Sequence, residues 1–178
     1  MDFLMAVKFF DTLWFIKQKN VDPLDDPDMV KKIVEQIMGR ALDVEPSTLT
    51  VGLKKFRGEL IQVIEALQLG QFESQHVQAL LNGYLQGSIG KREIAEFEPG
   101  VFQLAFVPII VDEAFVLSEL AYIWYILLFE RERSRIKICE QPECACVFID
   151  ESKSRSKRHC SPNCGNVMKV RRFRAKHG

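Results

Sequence analysis

All five cysteines of this 178-residue chain fall between positions 139 and 164, in the segment ICEQPECACVFIDESKSRSKRHCSPNCGNVMKV. They form two clusters: Cys139, Cys144 and Cys146, then Cys160 and Cys164. The opening stretch MDFLMAVKFFDTLWFIKQK is apolar but broken by Lys8 and Asp11, and shows neither a basic leader nor a small-residue cleavage site, so a cytoplasmic location is expected. In a reducing compartment, sulfurs at such spacing point to a metal rather than to disulfides. A tetrahedral zinc site takes its four ligands in pairs, each from a tight turn or a helix end. Ser161-Pro162 reads as an N-cap followed by the first helical position, which places Cys160 just ahead of a helix and Cys164 in its first turn. Free N–H groups and the positive end of the dipole there favour thiolate over thiol. Gln141-Pro142 forms a turn able to fold Cys139 and Cys144 toward the same ion, whereas Cys144 and Cys146 stand too close to close such a loop. The reading is therefore one structural Zn2+ held by Cys139, Cys144, Cys160 and Cys164, with Cys146 spare. Cys139 with Cys146 is the second way to make the first pair, and His159 is an alternative donor. The CxxxxC and CxxxC spacings differ from the CxxC of redox dithiols, and a closed four-sulfur site keeps no open position for chemistry.

The residues before this segment read mainly as helices. Phe3–Lys19 is expected as one strongly apolar helix. Asp26-Pro27 is an N-cap and first-turn pair for a helix with Val30, Ile33, Val34, Ile37 and Met38 on one face, ending near Gly39. Ser47 is placed as the cap of a longer helix carrying Leu49, Leu53, Phe56, Leu60, Val63, Ile64 and Leu67, with Gly70 as its stop. Ser74 starts another, with Val77, Leu80, Leu81 and Tyr84 on one side. REIAEFE, then Pro99-Gly100, then VFQLAFV predicts a β-hairpin. A helix from about Asp112 to about Arg135 follows, apolar all round in its middle and so the spine of the fold. Its longest apolar run, Leu120 to Phe129, is ten residues, about half of the roughly 20 that span a membrane. The fold class is α+β, mostly α: a helical N-terminal domain with a small hairpin over 1–130, then a small zinc module over 131–178. The 13 Phe and the tryptophans Trp14 and Trp124 are read chiefly as core, with the lining of a small-molecule pocket as the weaker reading.

Charge is divided along the chain. Residues 1–130 hold 11 Lys and Arg against 19 acids, and residues 131–178 hold 13 against 5. From Ser152 onward there are nine basic residues and no acid. Lys153, Arg155, Lys157 and Arg158 lie between the two ligand pairs, and Lys169, Arg171, Arg172, Arg174 and Lys176 lie on the C-terminal helix. On that helix Lys169, Arg172 and Lys176 share a face, while Val167, Val170 and Phe173 are expected to pack against the zinc module. Zinc would hold loop and helix together as one cationic patch able to neutralise phosphates. The acidic half could also hold the basic tail and mask it until a signal releases it.

The cysteine segment resembles the CGNR-type zinc finger, on Cys139, Cys144, Phe148, Asp150, Ser152, Arg158, Cys160, Cys164-Gly165-Asn166 and Lys169. Val167 stands where that family has the Arg of its name, and His159 where it usually has Trp. Upstream, Phe10-Asp11-Thr12-Leu13 is similar to the F-x-N-T-L opening of the α-rich ABATE domain that typically precedes this finger in bacterial proteins. The resemblance implies a treble-clef-like, DNA-binding finger in a stress-induced transcription regulator. The partner it implies is DNA; a small-molecule effector for the N-terminal domain and a second copy in a homodimer are further expected partners, and no membrane is expected. No G-x-G-x-x-G, P-loop, G-x-S-x-G or H-E-x-x-H is present, and an enzyme is not expected. A zinc-stabilised protein-interaction or RNA-binding adaptor is the alternative.

Overall fold

Apolar residues three and four apart give the helices over 27–38, 46–68 and 74–85 each a buried stripe, and these stripes meet in one core. The computed structural model describes residues 3–177; Met1, Asp2 and Gly178, at the ends of the expected 1–130 and 131–178 units, lie outside the described residues. Helix α3 (Pro27–Met38) starts as its sequence requires: the Asp26 carboxylate accepts from the Asp28 and Met29 N–H groups, with Pro27 in the first turn. It buries Val30, Val34 and Ile37. Helix α4 (Pro46–Gln68) buries Leu49, Leu53, Phe56, Leu60, Val63 and Ile64, and α5 (Ser74–Leu85) buries Val77 and Leu81. Helix α6 (Glu113–Tyr125), apolar on nearly every side, packs against α1, α4 and α5 and is the spine. Fully buried Trp124 meets Phe10 edge-on at 5.4 Å, so this pair packs in the core.

Four local expectations are corrected. The first helix is not continuous: α1 (Phe3–Lys8) and α2 (Thr12–Lys19) are joined by a 3-10 turn over Phe9–Asp11. Phe9 and Phe10 are both buried in this turn, and the Thr12 hydroxyl donates to the Phe9 carbonyl there. Ser47 lies inside the first turn of α4, not at its cap; Glu45 stands at the cap and accepts from the Ser47 hydroxyl. The long helix ends early. After Tyr125 a π turn spans Ile126–Glu130, closed by the Arg131 N–H on the Ile126 carbonyl, and it keeps both Leu127 and Leu128 buried before a 3-10 turn at Arg133–Arg135. The C-terminal helix α7 (Pro162–His177) buries no residue; Val167, Val170 and Phe173 are exposed and do not pack against the zinc module.

The predicted hairpin is present as β1 (Gly90–Glu98) and β2 (Val101–Pro108), antiparallel, with a bulge between Glu96 and Glu98 and Gly100 at φ +79° in the turn. Gly90 is required at its root, where a Cβ would stand 2.4 Å from the Val107 carbonyl and 2.5 Å from the Phe106 ring. The second sheet pairs β3 (Ile136–Ile138) with β4 (Val147–Ile149) and packs on α1 and α4. The fold is thus mostly helical with two small antiparallel sheets. No described helix is long and apolar enough to cross a membrane.

A buried ion pair ties α4 to the chain ahead of α3. The Arg57 guanidinium, 7% exposed, donates to both Asp22 carboxylate oxygens and to the Thr12 hydroxyl. Burial alone would raise the Asp22 carboxyl, but Arg57, the Leu24 N–H and Lys54 outweigh it and lower it from its ordinary 3.8. A depressed carboxyl stabilises the fold above its ordinary value, and that contribution is lost as pH falls through the folded value. Urea unfolding should show Arg57→Met costing about 2–3 kcal/mol at neutral pH. The stability gap between wild type and Asp22→Asn should shrink as the medium is taken from neutral to below about pH 4.

Candidate metal centre and nucleic-acid interface

The β3–β4 hairpin places the first two sulfurs. Cys139 follows β3 and donates its N–H to the Cys146 carbonyl just ahead of β4, while the Cys144 N–H closes a turn on the Gln141 carbonyl. Ala145, at φ +57°, then turns the chain into β4. The second pair comes from the start of α7, where the Ser161 hydroxyl accepts from the Cys164 N–H as its N-cap position predicts. The two halves are stitched by the Glu140 N–H on the Arg158 carbonyl and by the Cys160 N–H, 3.5 Å from the Cys139 sulfur.

The sulfurs of Cys139, Cys144, Cys160 and Cys164 all lie within 4.8 Å of one another. Cys144 and Cys160 are 3.5 Å apart, and Cys160 and Cys164 are 3.7 Å apart. Zinc–sulfur bonds of about 2.3 Å set tetrahedral sulfurs roughly 3.8 Å from each other, so the donor set and its spacing fit one structural zinc ion. Burial pushes the Cys144 and Cys160 thiols up. Burial opposes ionisation of Cys164 too, but the Ser161 hydroxyl and neighbouring thiols bring it below the ordinary thiol range. Cys146 packs beside the cluster but is not one of the four converging sulfurs: its thiol donates to the Cys144 carbonyl, and burial raises it to about 12. The cluster is roofed by Trp14 of α2 and by Phe148.

Residues 135–177 match the family model of the CGNR zinc finger. That segment carries the whole four-sulfur cluster. No curated protein matches the chain.

Within the finger, two residues that match the family have a visible task. Asp150 is fully buried, and its carboxylate accepts from the Ser152 N–H and hydroxyl, the Lys157 N–H and the Lys137 ammonium. Burial would raise this carboxyl, but those donors prevail and hold it well below the usual carboxylate range. The Lys137 ammonium also reaches the Arg155 and Lys157 carbonyls, and Arg135 donates to the Asp150 and Ser152 carbonyls. The basic loop is therefore shaped by Asp150 and two cations, Lys137 and Arg135, that sequence reasoning passed over. Their signal was their position in or beside β3, opposite the matched Phe148 and Asp150.

The nine basic residues are placed unequally. Arg155 pairs with Glu132 at 2.7 Å, Arg158 with Glu140, and Arg171 with Glu143 at 2.7 Å. These acids, also missed, belong to the finger or its approach, not to the acidic residues 1–130. The Lys157 ammonium stands over the Phe148 ring, 5.5 Å from its centre. Lys153 is exposed in the loop, and Lys169, Arg172, Arg174 and Lys176 are exposed along α7. Metal analysis of the purified chain should return one zinc per chain. Cys146→Ser should keep it, and Cys164→Ser should weaken zinc binding at least about 100-fold in a competition assay with a chromogenic chelator.

Proposed function

We propose that this protein is a zinc-dependent DNA-binding transcription regulator whose finger presents α7 and the 152–158 loop to phosphates. The observation that carries this reading is α7 itself. It is held at its first turn and by the Arg171–Glu143 pair, buries no residue, and carries exposed Lys169, Arg172, Arg174 and Lys176. A helix that buries no side chain fully and projects cations along its length suits a groove or a phosphate track. Zinc supplies rigidity and no catalysis, so the reading is of a binding protein and not an enzyme. The three arginines already paired with carboxylates would exchange those exposed partners for phosphates at small cost, because exposed pairs contribute about 0–1 kcal/mol. In this reading residues 1–130 are the regulatory part, responding to stress or a ligand as the ABATE resemblance implies, in the cytoplasm.

The exposed Val167, Val170 and Phe173 favour a second reading, a zinc-stabilised adaptor that docks α7 on a protein or on RNA. Anisotropy titrations of duplex DNA and of RNA across a salt series separate the two. Contact with about four to six phosphates should give a log–log salt slope of about −4 to −5 on duplex DNA. Lys169→Glu with Arg172→Glu should lower the magnitude of that slope by about two and weaken binding about 10- to 100-fold. A flat, weak response to both nucleic acids would favour the adaptor. Lys137→Met should speed amide exchange across residues 150–157 and weaken DNA binding while zinc stays bound, because the loop loses its internal anchor.

A further inference from the structure

Strands β1 and β2 form a two-stranded ribbon with no third strand among the described residues, and such ribbons are marginal in water by themselves. The register sets Ile94 opposite Leu104, Glu96 opposite Phe102 and Arg92 opposite Phe106, all on one face. At the root this face is covered, because Phe106 packs against the helical core. Farther out, Ile94, Phe102 and Leu104 are 74%, 63% and 63% exposed. The ribbon's own pairing shows which backbone groups its edge presents. The Ile109 N–H donates to the Ile89 carbonyl, so the odd-numbered residues of β1 turn their N–H and C=O groups toward β2. Arg92, Ile94 and Glu96 therefore turn theirs outward. The outer edge of β2 carries no charge to set a register and ends in Pro108, which has no N–H.

We propose that the outer edge of β1 docks on the β1 edge of a second copy of this chain, antiparallel, about a two-fold axis at Ile94. In that register Ile94 faces Ile94 of the partner subunit, and Arg92 faces Glu96 of the partner subunit, a pair that symmetry repeats. Each of these positions offers outward-turned backbone groups, so one continuous four-stranded sheet forms. Leu104 and Ile94 of both copies line up as one apolar row across it. Charge selects this register over its neighbours that preserve the hydrogen bonding. Sliding it one way puts Glu93 beside Glu93 of the partner subunit, and sliding it the other way puts Ile94 beside Glu96 of the partner subunit. The axis is perpendicular to the sheet, so both helical bodies lie on the same face, one at each end. The pairing also removes an exposed edge that would otherwise template aggregation.

Sedimentation of the zinc-loaded full chain from low to high micromolar concentration tests this. The expected result is a reversible dimer whose Ile94 amide exchanges more slowly as concentration rises, while the Glu93 amide, bonded inside the ribbon, is protected throughout. Arg92→Glu should raise the dimer dissociation constant about tenfold or more. The R92E/E96R double variant should recover most of that loss. Glu96 also accepts from the Gly100 N–H in the turn, so protection of the Glu93 amide and circular dichroism verify that the ribbon stays formed. A wild-type chain that remains monomeric overturns the proposal. So does a dimer indifferent to Arg92→Glu, or a double variant with an intact ribbon that binds itself no better than the single.

Discussion

Four cysteine sulfurs held within 4.8 Å of one another create a constraint that only a cation relieves. Ionised together they repel, and burial opposes the thiolate form of Cys144 and Cys160. A dication turns that conflict into a bond network, and binding of structural zinc to such modules is worth about 10–16 kcal/mol in apparent terms. What that network holds is the junction of the turn after β3 with the first turn of α7. The direction in which α7 leaves the protein, and the placing of the basic loop beside it, both follow from this junction.

The finger is also built into the rest of the molecule through a strand pair used on both faces. Ile136 and Val147 belong to the buried core of the helical body, with Ile138 and Ile149 packed at its margin. Phe148, between them in sequence, turns to the other side and joins Cys139 and Cys144. Period-two alternation along three residues thus gives one face to the body and the other to the metal cluster. Contacts across this seam are reinforced by Gln18, which donates to the Glu143 carbonyl. One strand pair thus serves both the core of the body and the sulfur cluster.

What could be read in the residues was what a few neighbouring positions encode. Asp26-Pro27 and Ser161-Pro162 act through N–H groups two or three residues away, so their caps were visible. Pro99-Gly100 marked a turn for the same reason, and the cysteine spacing singled out the four sulfurs that the fold brings together. What escaped depends on distant partners. Arg57 finds Asp22 across 35 positions, and Arg171 finds Glu143 across 28. The apolar run after Leu120 looked like more helix because periodicity does not register a π turn, which widens the coil without changing residue types. Val167, Val170 and Phe173 had the spacing of a buried stripe, but spacing supplies no second surface to bury them against. The ABATE resemblance upstream rested on one short opening, too little to constrain how α1 to α6 pack.

The chain's two tryptophans sit on opposite sides of this division. Trp124 is sealed in the body beside Phe10, and Trp14 leans on the sulfur cluster. Sulfur quenches indole emission at contact, whereas an apolar cage shifts it to the blue. The molecule therefore carries two native optical probes, one sensitive to melting of the helices and one to release of the ion. Light alone can tell whether those events occur together.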